Sequence, residues 1–253
     1  MCIVLFAWQV DDKHPLLVAA NRDEFHHRPA EPARWRGDLL CGLDLVAGGT
    51  WLGVSRGGRF AAVTNYREPI ADRLPGNRSR GMLPMGFLES ELAPLEYLRR
   101  LQGEQQEYGG FNLLVSDGQE LAWMSNRGAE PQRVAPGIHA LSNGNLDTDW
   151  PKARRGKSLL QQVVSDGMAG GVSADNLLQI LEDDSLPDDD ALPDTGVGVE
   201  MERLVAPIFI QSAAYGTRAS TAVIQHADGR FDFAEQRWQP GGGRAAEPGR
   251  FAG

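Results

Sequence analysis

Only two cysteines, Cys2 and Cys41, occur among 253 residues. That scarcity excludes a disulfide-built scaffold and a four-cysteine zinc site. Basic charge is also short: 25 Lys and Arg against 34 Asp and Glu leave a net charge of −9, with no Lys/Arg run. Broad electrostatic binding to nucleic acid or to an anionic membrane is therefore not expected. No stretch approaches the roughly 18–20 apolar residues needed to cross a bilayer. The start, Met1-Cys2-Ile3-Val4-Leu5-Phe6, lacks the basic opening and small-residue cleavage site of a signal peptide. The five histidines (His14, His26, His27, His139 and His226) show no i, i+4 spacing, and Cys-x-x-Cys is missing. No metal ligand set is predicted, and covalent haem attachment is excluded. Gly48-Gly49 and Gly57-Gly58 match neither G-x-G-x-x-G nor the P-loop.

What is present fits an acidic globular protein, expected to be cytoplasmic. An apolar content of 42 % is enough for a substantial core. Ile3 to Val10 reads as a strand covered on both faces, and Leu16 to Ala20 as its antiparallel partner. Four polar residues, Asn21-Arg22-Asp23-Glu24, follow that second run directly, where a sheet rim would place them. Residues 28–36 are Pro-containing and read as irregular. Two hairpins are predicted, over 48–66 with a turn at Arg56-Gly57-Gly58 and over 112–125 around Asp117-Gly118. A short strand is expected at Ile138 to Ser142.

Helical patterns cover Gly81 to Glu91, Pro94 to Leu101, Trp150 to Ser165 and Ser173 to Leu181, with Ser173 as an N-cap. The acidic segment Glu182 to Asp194 reads as a solvated loop. Two final strands, Ser220 to His226 and Phe231 to Arg237, turn at Asp228-Gly229. The organisation is α+β with mostly antiparallel sheets, as a single domain over 1–238 and a Gly-rich, disordered tail over 239–253.

Cys2 is the first candidate for chemistry. Removal of Met1 would make it N-terminal, with a thiol (reference pKa about 8.5) beside an α-amine (about 7.7–8.0) able to take its proton. Taken alone, a free cysteine is more often a small buried filler. Arg22 and Asp23 come next: a guanidinium lowers a neighbouring thiol's pKa and grips carboxylates, and a carboxylate orients an ammonium. The same two residues also read as a structural ion pair. Asn65 and Asn143 each end a predicted strand, where an amide suits an oxyanion or simply caps a turn. Arg218 precedes the strand of Ala222 to His226 and suits an anionic ligand group. A non-covalent haem needs only one axial His, Cys or Met; His26, His27, Cys41 and the methionines all remain open.

The string Asn21-Arg22-Asp23-Glu24 after Met1-Cys2 resembles the NRDE family, that of transport and Golgi organisation protein 2. Further blocks agree in order: Gly48-Gly49-Thr50-Trp51-Leu52-Gly53, Thr64-Asn65-Tyr66, Gly110-Phe111-Asn112-Leu113, Asn126-Arg127-Gly128, Leu141-Ser142-Asn143 with Trp150-Pro151-Lys152, and Tyr215-Gly216-Thr217-Arg218. The resemblance implies an N-terminal-nucleophile hydrolase fold, a four-layer αββα sandwich. It is similar to the cysteine branch of those enzymes, which includes conjugated bile acid and penicillin V hydrolases.

That branch implies a catalytic set of Cys2, Arg22, Asp23, Asn65, Asn143 and Arg218. Asn21, Glu24, Trp51 and Tyr66 stand as ligand-binding candidates. The branch carries its Asp three residues after the Arg, whereas Asp23 follows Arg22 directly. Adjacent strand side chains face opposite ways, so Asn21 and Glu24 stay open as alternatives at the α-amine.

The implied function is hydrolysis of an amide or thioester acyl compound by Cys2. The alternative, since the family is also associated with haem trafficking and with acyl-CoA and lipid metabolism, is a non-catalytic carrier using the same pocket. The expected partner is a small molecule: an acyl compound, acyl-CoA or haem. No resident cofactor is required, and haem enters only as cargo.

Overall fold

The first strand, β1 (Cys2–Trp8), is buried along its whole length, and its two faces serve two separate cores. Val4, Phe6 and Trp8 belong to one apolar cluster, and Ile3, Leu5 and Ala7 to another. A strand apolar on both faces needs a layer on each side. The structure, a computed structural model, describes residues 2–73 and 76–253. Met1, on whose removal the expected chemistry depends, lies outside the described residues.

After β1 come β2 (Leu16–Phe25), β3 (Ala30–Arg36), β4 (Leu39–Asp44), β5 (Leu52–Ser55) and β6 (Phe60–Asn65). Helices α1 (Met82–Leu88) and α2 (Pro94–Gln102) precede β7 (Phe111–Ser116), β8 (Leu121–Ser125), β9 (Ala129–Arg133) and β10 (Gly137–Leu141). Then follow α3 (Pro151–Gly170), α4 (Ala174–Gln179), α5 (Val199–Leu204), β11 (Tyr215–Gln225), β12 (Phe231–Arg237) and β13 (Gly249–Ala252).

Two antiparallel sheets result, in the orders β10-β1-β2-β11-β12-β13 and β3-β4-β5-β6-β7-β8-β9. Val4, Phe6 and Val18 meet Leu40, Leu52 and Trp123 between the sheets. Helices α3 and α4 cover the outer face of the first sheet through Leu160, Val164 and Leu177. Helices α1 and α2 cover the second through Leu83, Phe87 and Leu98. This is the expected αββα sandwich. Burying one Leu or Phe contributes about 1.5–3 kcal/mol, so these clusters hold the strand ends against the cost of burying polar groups there. None of the described helices is long and apolar enough to cross a membrane.

One glycine sets how closely α3 can lie. A Cβ on Gly156 would stand 2.5 Å from Cδ2 of Leu5, so the helix reaches β1 only because that atom is missing. At the start of α4, the Ser173 hydroxyl accepts from Asn176 N–H in a capping box. Both hairpins and the helices α1 to α4 lie where the sequence puts them.

Several expectations need correction. The stretch 28–36, read as irregular, contains β3, and β4 was not foreseen. Pro32 sits where the β3 register slips between Glu31 and Arg34. The opposite edge strand, β9, has Pro131 at a similar slip. Proline is tolerated at edges and bulges because its missing N–H is not needed there. The segment expected as a disordered tail ends instead in β13, which pairs Phe251 with Phe233 of β12. Residues Tyr215 to Ala219, read as a lead-in, already form part of β11, and α5 was not anticipated.

Candidate active site

Cys2 opens β1, and in the antiparallel register it stands opposite Arg22 of β2. Strand alternation puts Cys2 on the face of Val4 and Phe6, so its side chain points between the sheets. There it lines a cavity of about 1000 Å³ at the end of the sandwich. The first sheet contributes Cys2, Arg22 and Arg218 to the wall, and the second contributes Asp44 and Asn65. Cys2 is only 7 % exposed. Burial pushes its thiol above the ordinary value, as does the Asp23 carboxylate; a hydrogen bond from the Asp23 backbone N–H and the Arg22 charge pull it back.

Arg22 is already paired. Its Nη2 donates to Asp44 Oδ2 at 2.9 Å, and Arg28 Nε donates to the same oxygen at 2.7 Å. Against its own burial, these Arg28 contacts and the N–H groups of Val46 and Ala47 hold the Asp44 carboxyl below its usual range. Arg22 and Arg28 are thus held as wall, with their charge largely answered by one carboxylate.

Asp23 points to the opposite side of β2, as alternation requires, yet it also borders the cavity because it lies near the strand end. Thr217 Oγ1 donates to Asp23 Oδ1 at 2.8 Å. Burial pushes the Asp23 carboxyl up to about 6, opposed by the charges of Lys152 and Arg22 and by the Thr217 hydrogen bond. Lys152, at the start of α3, is buried and donates from Nζ to the Val205 carbonyl at 3.1 Å. Burial, with Arg67 nearby, brings its ammonium down to about 7, while Asp23 and Cys2 act to raise it. Asp23 and Lys152 are thus two buried titratable groups whose charges couple to that of the cysteine.

Asn65 ends β6 and borders the cavity. Among the described residues, its side-chain amide has no hydrogen-bond partner, so it is available to a ligand oxygen. Asn143 lies behind it, buried, and does not line the cavity. Its Nδ2 donates to the Asn65 carbonyl at 2.9 Å, and its own carbonyl accepts from Arg67 N–H at 2.6 Å. Arg218 enters by a different device. The β11–β2 ladder slips between Thr217, which pairs with Asp23, and Ala219, which pairs with Arg22. Arg218 is the extra residue of that bulge, and bulges re-aim side chains. Its Nη1 donates to the carbonyls of Phe25 and His26, both at 2.9 Å.

Glu24, Trp51 and Tyr66 all line the cavity. Asn21 does not, and this corrects the sequence expectation. Its Nδ2 donates to the carbonyls of Leu181 and Ile208, both at 2.9 Å, and its Oδ1 accepts from Ser220 Oγ at 2.6 Å. Asn21 pins the helical layer to the first sheet and has no amide atom left for a ligand. Lys152, Asp44, Thr217 and Arg80 were not singled out for chemistry. Lys152 and Thr217 lie in the motif blocks quoted above, which was the one available signal.

The family model for transport and Golgi organisation 2 matches residues 1–240. The chain belongs to that family. The transport and Golgi organization protein 2 homolog of Bos taurus is 38 % identical over 261 residues, spanning 93 % of this chain and 92 % of the relative. The homolog of Homo sapiens is 36 % identical over 259 residues, with the same two coverages. Among solved structures, the C2A mutant of conjugated bile acid hydrolase from Clostridium perfringens superposes with a TM-score of 0.51 at 8 % identity. It spans 99 % of this chain and 92 % of that one. At that identity the likeness speaks for fold alone, and this member of the transport and Golgi organisation 2 family has the N-terminal-nucleophile hydrolase fold.

Proposed function

We propose that this protein is a cysteine N-terminal-nucleophile hydrolase for an acyl compound joined through an amide or thioester bond. One observation carries the reading: Cys2 and the unpartnered Asn65 amide line the same cavity, one from each sheet. The fold shared with conjugated bile acid hydrolase agrees with it. In this reading Met1 is removed, and the freed α-amine takes the proton from Cys2 Sγ. Sγ then bonds to the acyl carbon, and the carbonyl electron pair moves to oxygen, where Asn65 donates to it. Collapse restores the carbonyl and breaks the C–N or C–S bond; the leaving group carries off the proton held by the amine. Water, deprotonated by the same amine, attacks the resulting thioester and releases the acid, and Sγ recovers its proton.

Arg22 and Asp44 hold the wall beside the sulfur, and the Asp23 backbone N–H steadies it. The test is a panel of acyl amides and acyl thioesters offered to protein with an N-terminal Cys2. Turnover by wild type and none by Cys2→Ala supports the reading; no turnover on any member sinks it.

A second reading, a carrier of acyl-CoA or haem in the same cavity, is favoured by the thiol itself. Burial holds Cys2 as a neutral thiol unless an adjacent amine removes its proton. None of the histidines and not Cys41 lines the cavity; among the described lining residues, Cys2, Met201, Tyr66 and Tyr215 are of types that can ligate haem iron. Haem titration of Cys2→Ala, Met201→Leu, Tyr66→Phe and Tyr215→Phe would show a changed Soret band in one of them if haem is cargo.

A further inference from the structure

The arginines around the cavity divide into two groups. Arg22 and Arg28 are paired with Asp44, Arg67 with Glu202, and Arg78 with Glu104. Arg73, Arg80, Arg218 and Arg237 also line the cavity, and among the described residues none has a carboxylate oxygen within 4.0 Å. Within this second group, Arg218 is committed to backbone carbonyls, Arg237 donates to the Ala30 carbonyl, and Arg73 is exposed. Arg237 resembles Arg80 in being half-buried with one side-chain hydrogen bond among the described residues, but its charge acts on the buried Glu235 carboxyl. Arg80 is half-buried, and among the described residues its side chain has one hydrogen bond, from Nη1 to the Gly110 carbonyl at 2.9 Å. Among the described residues, the rest of its fork has no hydrogen-bond partner.

Its backbone is fixed on both sides. Thr50 N–H donates to the Gly81 carbonyl at 3.0 Å, and Ser79 Oγ donates to the Gly48 carbonyl at 3.2 Å. A Cβ on Gly49, whose φ is +78°, would stand 2.3 Å from the Gly81 carbonyl carbon. Glycine at 49 and 81 therefore lets the β4–β5 loop clamp the segment that presents Arg80. Arg80 and Cys2 line the same cavity.

A half-buried cation with no carboxylate oxygen within 4.0 Å among the described residues is costly to keep, and the charges of Glu24 and Glu68 act on it only from farther off. A planar fork held in one place is suited to a bidentate oxyanion. We propose that Arg80 is the anion-binding residue of the cavity and selects acyl compounds that carry a carboxylate or phosphate. The proposal rests on the reading of the cavity as an acyl site, and its test separates the two.

Binding to Cys2→Ala protein is measured by calorimetry with three probes: N-dodecanoylglycine, dodecyl phosphate and the neutral N-dodecanoylethanolamine. At least one anionic probe should bind about tenfold or more tightly than the neutral one. Arg80→Gln in the same background should remove that preference while the neutral probe keeps its affinity, and Arg80→Lys should restore part of it. Whichever anionic probe shows the greater loss identifies the group as carboxylate or phosphate. Equal affinity for all three, or a preference that survives Arg80→Gln, overturns the assignment and leaves the acyl site standing. If Arg80→Gln fails to fold, a preference untouched by Arg80→Lys and by added salt overturns it equally. Failure of every probe to bind, the neutral one included, overturns both.

Discussion

Asn143 holds Asn65 from behind: the amide Nδ2 of one donates to the main-chain carbonyl of the other at 2.9 Å. The two asparagines expected to act alike therefore have different jobs. Asn65 lines the cavity with a side-chain amide that has no partner among the described residues, and Asn143 holds the main chain that carries it.

That division predicts two unlike mutants. Asn65→Ala should lower kcat by about 10²–10³-fold with little change in KM, as loss of an oxyanion donor does. Asn143→Ala should reduce stability by about 1–3 kcal/mol, because it leaves buried partners unsatisfied. Steady-state kinetics and urea unfolding of both variants check the difference.

Asp23 and Lys152 should shape how stability depends on pH. The folded pKa of Asp23, about 6, lies above its ordinary 3.8, so the folded state binds that proton more tightly. Its contribution is present in full below 3.8 and is lost as pH rises through about 6. The folded pKa of Lys152, about 7, lies below its ordinary 10.5. Its contribution is present above 10.5 and is lost as pH falls through about 7. The pair thus stabilises least between about 6 and 7, where both are charged. Thermal melts across this range should show the acid-side decline in wild type and a flatter profile in Asp23→Asn.

Gly156 supplies a prediction on packing alone. Gly156→Val would drive its new side chain into Leu5, which is fully buried. Overpacking of this kind costs about 1–3 kcal/mol. A lower urea midpoint with an unchanged m-value is the expected result.

Much of this layout was legible from residues. The doubly apolar run of β1 required a layer on each face, and the turn glycines marked both hairpins. The short edge strands were not legible, because Pro32 and Pro131 make β3 and β9 look like loops, and only the finished sheet shows them at bulges. At the site, Cys2, Arg22 and Asn65 came from motif order. The role of Asn21 did not, since a strand-end amide gives no sign of whether it faces a cavity or, as here, the carbonyls of Leu181 and Ile208. Lys152 and Asp44 were hidden for a similar reason: their partners lie far away in sequence. The bulge at Arg218 is a property of the β11–β2 pairing and has no local signature.

Cys2 as acyl acceptor is the centre of the account, and quenched intact-mass analysis tests it most directly. Protein with an N-terminal Cys2 is mixed with an acyl amide or acyl thioester, quenched at intervals and weighed, and the adduct is located by peptide mapping. The account predicts one acyl group on Cys2 that appears early, decays as acid is released, and is missing from Cys2→Ala. Acid release with no adduct on Cys2, or no adduct and no acid from any acyl compound tested, would contradict it.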